Sequence, residues 1–335
     1  MSTQPSSITN AFTGLLSGLV PGSLQSWGLL EIVSLFLVPE TSPRPQFVSA
    51  LEHLKIVQVP TYGTLVLRNT SANGLLIAPM HIGFFQAGAQ NHATSRVLIL
   101  DAGETLKATD CFCIQQSQGG LLKEAQQRFL ILPLGLRGAA LSKRHTDGFS
   151  RLWGEIDTYT RGYGISRGGH LERFLRPYFH RLMPFRHAFE SLPGQVGAAY
   201  FIAGKLVGIE VAPNHTCWQD LWPILNIYCY GSAALRAERQ HQEAARSKLD
   251  LEGLLDLNDL TRRLEETKSC EKRARVDLIR ELSNLSWNYA VDTDRHGLRI
   301  LNIEQNTWIG QMVREGSETL YLSVFQNTIP EMKKS

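Results

Sequence analysis

The chain has 335 residues, of which 43% are hydrophobic and 19% are charged. This length and composition suit one large or two ordinary domains with packed cores, and they exclude a disordered chain or a coiled-coil rod. The net charge of +3 is a weak basic bias for this length, so charge does not indicate a nucleic-acid-binding protein.

Five cysteines are spread thinly along the chain, and no secretory signal pattern stands at its start. Both features predict a cytoplasmic protein with free thiols. The longest apolar run, residues 29–38, is interrupted by Glu31 and Ser34. It is shorter than the ~18 apolar residues of a membrane-spanning helix.

Residues 1–28 are predicted to form a polar tail and an apolar helix. Within 8–19, four apolar residues recur at helical spacing, namely Phe12, Leu15, Leu16 and Leu19. Such a helix could pack on its own domain, on a partner or on a membrane surface. The absence of Lys and Arg argues against the membrane, and the usual orientation of apolar faces favours its own domain.

Residues 29–330 are predicted to form a single α+β domain. Its core is a set of antiparallel sheets, arranged as a sandwich or barrel, with several packed helices. Residues 62–116 carry short apolar runs separated by turn clusters, a pattern typical of consecutive hairpins. They belong to a β-rich half at 29–137, in which 45–54 is predicted as a short helix and 120–136 as a helix followed by a strand.

The remainder of the domain alternates helices and hairpins. We predict helices at 147–192 that are kinked or divided near Pro177 and Pro184, a hairpin and helix at 195–245, charged helices at 250–283, and strands at 286–326. A capping box at Thr216 and Gln219 is expected to open the helix after the first hairpin. The hairpins at 195–211 and 307–326 match in glycine placement, which suggests an internal duplication or two similar edge units.

One polar island, residues 87–92, interrupts the apolar strands. Gln90, Asn91 and His92, with Gln115 further on, are candidate binding residues because amides and imidazoles recognise ligands through hydrogen bonds. The same amides also suit local bonds to turns and neighbouring strands. If the protein is an enzyme, His92 would be the acid/base and Cys113 the nucleophile.

Metal and phosphate sites are weakly indicated. Cys111 and Cys113 share one strand face and could bind metal with His81 or His92, but a single C-x-C without a second pair is poor support. A site at His215 and Cys217 lacks a third ligand. The Gly-rich stretch at 161–169 could cradle a phosphate, but it is better explained as a loop between helices. No metal site is predicted, and the sequence requires no cofactor.

The order of several motifs resembles the ARPP domain family, named for its association with ADP-ribosylglycohydrolases and rhodanese-phosphatases. The family signature reads roughly G-A-K-Q-N-R, then a strand and turn, then S-C-V-E. Here the corresponding segments are Gly88-Ala89-Gln90-Asn91-His92 and Asp110 to Gln115. The resemblance extends over about residues 30–328. Three charged positions of the family are replaced, Lys by Ala89, Arg by His92 and Glu by Gln115.

The resemblance leaves two functions open. Loss of the charged positions implies a non-catalytic binding or regulatory protein, a subunit of a bacterial stress or defence system linked to NAD or ADP-ribose metabolism. It would act through a protein partner, self-association or a nucleotide-derived ligand. The alternative is an enzyme acting on an ADP-ribose-like or nucleotide-derived substrate. Nucleic-acid binding, suggested only by mild basic charge and the Arg/His-rich helix at 170–187, ranks third, and no membrane role is expected.

Overall fold

Antiparallel sheets dominate the computed structural model of this protein. It describes residues 11–38, 44, 46–86, 88–117, 119–121, 127–164, 168–240 and 257–327. The predicted polar tail, the end of the helix expected within 195–245 and the start of the one expected within 250–283 lie outside these residues.

The strands, in chain order, are β1 (Leu19–Trp27), β2 (Leu30–Leu37), β3 (Phe47–Val48), β4 (Leu54–Thr61), β5 (Thr64–Asn69), β6 (Leu75–Ala78), β7 (Ile82–Gln86), β8 (His92–Ala93), β9 (Leu98–Leu100), β10 (Thr105–Ala108), β11 (Phe112–Cys113), β12 (Gln127–Ile131), β13 (Gln195–Ile202), β14 (Lys205–Val211), β15 (Asn288–Arg295), β16 (Leu298–Gln305), β17 (Trp308–Glu315) and β18 (Glu318–Gln326). The helices are α1 (Ala50–His53), α2 (Leu134–Ser142), α3 (Trp153–Arg161), α4 (Leu171–Leu182), α5 (Pro184–His187), α6 (His215–Ile224), α7 (Gly231–Gln240) and α8 (Leu257–Ser283). A 3-10 turn spans Gly14–Leu16, and a π-helix spans Leu225–Tyr230 between α6 and α7.

The predicted α+β class with a β-rich core is confirmed, and the sheets are open rather than closed into a barrel. The largest sheet has the order β1-β2-β13-β14-β18-β17-β16-β15. Three smaller sheets, β10-β5-β4, β11-β8-β7-β12 and β3-β6-β9, come from the chain between β2 and β13. Only β3 and β6 pair in parallel among the described strands; every other pairing is antiparallel.

The large sheet consists of two four-stranded halves with the same layout. The half β1-β2-β13-β14 and the half β18-β17-β16-β15 meet where β14 pairs with β18. Gly197 pairs with Val211 in one half and Gly310 with Val324 in the other, and both hairpins shift register three residues beyond the glycine. The halves differ in one connection, because residues 38–194 join β2 to β13 whereas a two-residue turn joins β16 to β17.

A buried arginine lies where the two halves meet. Glu210 and Ser323 occupy equivalent positions in the two hairpins and pair with each other across β14 and β18. Arg137, on α2, donates from Nη1 to Glu210 Oε1 at 2.5 Å and from Nη2 to Ser323 Oγ at 2.5 Å. All three side chains are buried. The segment between β2 and β13 is thus anchored to both halves of the sheet by one guanidinium.

Each face of the large sheet has its own core. One face packs against the smaller sheets and α1–α7 in a cluster that includes Tyr200, Trp218 and Tyr230. The opposite face is covered by α8 and by the segment before β1, with Phe12 and Leu16 among the buried residues. Arg275 on α8 pairs with Glu31 of β2, so α8 is fixed to the sheet by charge as well as by apolar contact.

The N-terminal helix prediction was wrong within the described residues. The segment forms only the 3-10 turn before β1, because Gly14 and Gly18 both have positive φ (60° and 84°), which a regular helix cannot contain. Phe12, Leu15 and Leu16 are nevertheless buried against the sheet. The apolar pattern therefore reflected burial rather than helix formation.

Several local boundaries also differ from the sequence predictions. Asn214, not Thr216, caps α6, accepting the Cys217 N–H at 2.9 Å. The segment 45–54 contains a short strand before the single turn of α1. Within 120–136 the predicted strand is present as β12, the helix predicted before it lies largely outside the described residues, and α2 begins at Leu134. Division of the helix near Pro184 is confirmed, since α4 ends at Leu182 and α5 begins at Pro184. Pro177 lies inside α4.

Candidate functional site

Residues 88–91 of the polar island lie in the turn between β7 and β8, two strands of the sheet β11-β8-β7-β12. Gly88 has a φ of 70°, which favours glycine and lets the chain reverse here. β8 begins at His92 and pairs with both β7 and β11, placing His92 opposite Phe84 on one side and Cys113 on the other. The turn therefore brings the island against the segment that follows β11.

Gln90 ties the island to the loop after β11. It is 1% exposed. Its Nε2 donates to Gln115 O at 2.5 Å, and its Oε1 accepts from Gly119 N at 2.7 Å. Its backbone N–H donates to Gly120 O at 2.9 Å. Both polar atoms of this side chain are thus used to hold the chain.

Asn91 connects three elements and is also 1% exposed. Its Oδ1 accepts from Gln86 N at 2.8 Å, and its Nδ2 donates to Glu172 Oε2 at 2.9 Å on α4. Its backbone N–H donates to Gln115 Oε1 at 3.1 Å. Gln115 is only partly buried, and it completes the cluster of predicted binding residues.

His92 lies between a carbonyl and a thiol. Its Nδ1 is 2.9 Å from Gln90 O, an acceptor, so the ring proton belongs on Nδ1. Nε2 accepts from Gly63 N at 3.2 Å and lies 3.3 Å from Cys113 Sγ. This tautomer makes Nε2 an acceptor with one lone pair, which the Gly63 N–H already uses, so the Cys113 thiol can only share it. Both side chains have 0% exposure.

Burial keeps both members of this pair neutral. Desolvation lowers the pKa of His92 to about 4, opposed in part by the bond to Gln90 O. Desolvation likewise raises the pKa of the Cys113 thiol to about 12, opposed in part by hydrogen bonds from Gly63 and Gln90. At neutral pH the pair is therefore an imidazole and a thiol, not the imidazolium and thiolate of an activated nucleophile.

The structure brings together all of the predicted site residues, Gln90, Asn91, His92, Cys113 and Gln115, although they come from two separate segments. In this arrangement the two amides and the ring bond to the protein itself. The cluster can rigidify the sheet edge and transmit movement of α4 to β8. Covalent chemistry at Cys113 would require the cluster to open.

The other sequence candidates are dispersed. Cys111 Sγ bonds Ala108 O rather than approaching His92, and the His81 ring packs near Phe325. His215 Nδ1 lies 2.8 Å from Gln195 O. Among the described residues, no three His, Cys, Asp or Glu side chains are grouped to hold a metal. Of the Gly-rich stretch, Arg161 ends α3 and pairs with Asp157, and Gly169 N–H donates to Gln116.

A groove beside the island was not anticipated from the sequence. It has a volume of about 350 Å³ and is lined by Phe85, Arg128, Glu172, Leu175, Arg176, Phe179 and Tyr228. Glu172 is shared by the groove and the island, since its Oε1 accepts from Arg128 and its Oε2 from Asn91. The sequence did contain a signal for this groove. The helical spacing of Glu172, Leu175, Arg176 and Phe179 places these residues on one face of α4.

The family model described as ARG and Rhodanese-Phosphatase-superfamily-associated Protein domain, ARPP-1, matches residues 19–311. This chain belongs to the ARPP-1 family. The match begins at β1 and ends within β17, so it includes the large sheet except β18 and the end of β17, together with the segment between β2 and β13, the island and the groove. The resemblance stated from the sequence motifs is confirmed.

Two further comparisons found no similar protein. Neither the curated proteins nor the solved structures contain a match to this ARPP-1 chain. No helix among its described residues combines the length and apolarity needed to cross a bilayer. Function must therefore be argued from the family's association with other enzyme families and from the geometry of the site.

Proposed function

We propose that this ARPP-1 protein is a non-catalytic binding or regulatory protein. The observation that carries the proposal is the closed state of the His92–Cys113 pair, in which both side chains are inaccessible and uncharged. A catalytic Cys–His pair needs an accessible sulfur and a proton acceptor poised to make the thiolate. Neither requirement is met in this arrangement.

The replaced family positions support the same proposal. Ala89, His92 and Gln115 stand where the family pattern carries Lys, Arg and Glu. Ala89 and His92 are buried, and Gln115 bonds the backbone of Asn91. The charges that an anionic substrate or a proton transfer would use are absent from these positions, while the side chains present stabilise the fold.

The name of the family supplies the setting of the proposal. A domain associated with ADP-ribosylglycohydrolase and rhodanese-phosphatase families fits an accessory subunit that works beside enzymes. We propose that the protein acts in the cytoplasm of a bacterium, in a stress or defence system linked to NAD or ADP-ribose metabolism. It would act by binding a protein partner, a second copy of itself or a nucleotide-derived ligand.

Two measurements test this function. Affinity purification of the tagged full chain from its native host, with light scattering of the purified protein, should recover a stable partner or a defined oligomer. Incubation with NAD, ADP-ribose and common nucleotides should yield no product by chromatography. A strictly monomeric chain that has no protein partner and binds no nucleotide-derived ligand, or product that accumulates with protein concentration, would count decisively against the proposal.

An enzymatic function is the second candidate, favoured by one specific contact. His92 Nε2 lies 3.3 Å from Cys113 Sγ, so a base would stand next to a nucleophile if the cluster opened and Nε2 released the Gly63 N–H. The substrate would be ADP-ribose-like or nucleotide-derived, with Gln90 and Asn91 orienting it. If turnover is observed, Cys113→Ala should abolish it, whereas Cys111→Ala, the other buried thiol of this segment, should leave it unchanged.

A further inference from the structure

The groove beside the island presents aromatic surface to solvent. Phe179, on α4, is 46% exposed. Phe85 at the end of β7 and the partly buried Tyr228 of the π-helix line the same groove. π-helices are frequently found at functional sites because they displace side chains from regular helical positions. A phenyl ring left in water beside two other rings is suited to stack on a planar ligand.

Two arginines border this aromatic surface and differ in their partners. Arg128 pairs with Glu172 at 3.1 Å, and its guanidinium lies 5.9 Å from the Phe85 ring centroid. Arg176 makes no ion pair with any described residue and is exposed at the rim. Both oxygens of Glu172 already have partners, Arg128 and the Asn91 amide. Among the described residues, Arg176 is therefore a groove cation without an ion-pair partner, and Arg128 is a second cation that could bind a ligand in addition to Glu172.

We propose that this groove binds a mononucleotide-type ligand, whose planar base stacks on Phe179 and Tyr228 and whose phosphate is held by Arg176 and Arg128. Guanidinium groups bind phosphate by charge-assisted, often bidentate hydrogen bonds. The volume of about 350 Å³ is at the lower end of ligand sites, so the groove suits one base with its ribose phosphate rather than a whole dinucleotide.

The inference rests on the proposed function, since it names the ligand of a binding protein, but it places that ligand outside the island. Glu172 contacts both the groove, through Arg128, and the island, through Asn91. A phosphate that engages Arg128 competes with Glu172, and Glu172 in turn bonds Asn91. Occupation of the groove would thus be transmitted to the turn before β8 without the ligand touching His92 or Cys113.

The test is calorimetric titration of the full chain with AMP, adenosine and ribose 5-phosphate. AMP should bind most tightly, because adenosine lacks the phosphate and ribose 5-phosphate lacks the base. Arg176→Gln and Phe179→Ala should each weaken AMP binding about 10-fold, as expected for loss of a charge-assisted contact or a stacked ring. Arg181→Gln, an exposed arginine of the same helix outside the groove, is the matched control with the same charge change and should bind like wild type.

Each other outcome is decisive. Equal binding of AMP and ribose 5-phosphate, or of AMP and adenosine, would overturn the combined base-and-phosphate site. AMP binding unaffected by Arg176→Gln and Phe179→Ala would overturn the location while leaving a binding function in place. No binding by any of the three probes would overturn the inference itself. Conversion of AMP or ADP-ribose to product would instead overturn the non-catalytic function. The Arg176→Gln result would still show whether the ligand binds in the groove.

Discussion

His92 and Cys113 face each other across β8 and β11, with Nε2 and Sγ 3.3 Å apart and neither side chain accessible. The contact joins residues that are 21 positions apart in the chain. Its environment is apolar enough to keep both groups uncharged. The stability of the protein should therefore depend on pH in a way that reports on this pair.

We expect the free energy of unfolding to fall as the pH drops from about 6.5, the pKa of an unfolded histidine, toward 4. The pKa of His92 is lowered to about 4 in the folded protein, so the unfolded state binds more protons in this window. The contribution of neutral His92 to stability is fully present above about pH 6.5. It amounts to about 3 kcal/mol, because each unit of pKa difference corresponds to about 1.36 kcal/mol. Urea unfolding measured across this range should show the loss.

The variant His92→Gln should flatten that pH dependence. Burial also lowers the pKa of His81 and His170, so part of the slope should persist. His180→Gln, at an exposed position on α4, is the control and should reproduce the wild-type slope. An unchanged slope in His92→Gln would contradict a neutral, buried His92.

Thiol labelling should separate the cysteines by burial. At pH 8 in the folded protein, an alkylating reagent should modify the exposed Cys270 quickly and leave Cys113 unmodified, because its thiol has a pKa of about 12 and only the thiolate reacts. Mass spectrometry of digested protein measures both sites. Cys270→Ser should remove the rapid phase, and denaturation should expose Cys113. Rapid labelling of Cys113 in the folded chain would favour the enzymatic alternative.

Asn91→Ala should lower the free energy of unfolding by roughly 1–3 kcal/mol, because it leaves the buried Gln86 N–H without its acceptor. Chemical denaturation measures this, with Asn288→Ala at an exposed strand position as the control, expected within about 0.5 kcal/mol of wild type. A loss below about 0.5 kcal/mol with weakened ligand or partner binding would assign Asn91 to recognition. A fully stable and fully functional variant would remove the island from consideration as a site.

Arg137→Ala should destabilise the fold by about 3–5 kcal/mol, since it leaves the Glu210 carboxylate buried without its cation. Burial opposes the charge of Arg137, but the Glu210 carboxylate together with Cys229, Tyr230 and Tyr321 more than offsets burial, and the pKa of Arg137 is raised. The double variant Arg137→Met with Glu210→Met should recover much of the loss, and a double-mutant cycle gives the coupling. Additive losses would show that the two residues do not act as a pair.

Much of the architecture could be predicted from local patterns. Alternating apolar residues between turn clusters predicted the antiparallel sheets, and glycines predicted the two hairpins. The matching glycines also indicated the repeated half of the sheet, because a Cβ at Gly197 or Gly310 would collide with the backbone of the paired strand. The order of the motifs identified the family. Strands, hairpin turns and glycine positions depend on interactions between residues close in the chain, so they can be predicted from the local sequence.

The tertiary structure alone decided what the polar residues do. The residue types of Gln90, Asn91 and Cys113 indicated candidate site residues, but not that the two amides would bond to Gln115, Gln86 and Glu172. Nor did any local pattern bring Arg137 to Glu210, 73 positions away, or place α4 beside the island. These contacts form between segments that are distant in the chain, and burial then determines their protonation. The sequence therefore determined the sheets and the family. Long-range packing decided which polar groups are buried in hydrogen bonds and which side chains of the groove, such as Arg176 and Phe179, are exposed to solvent.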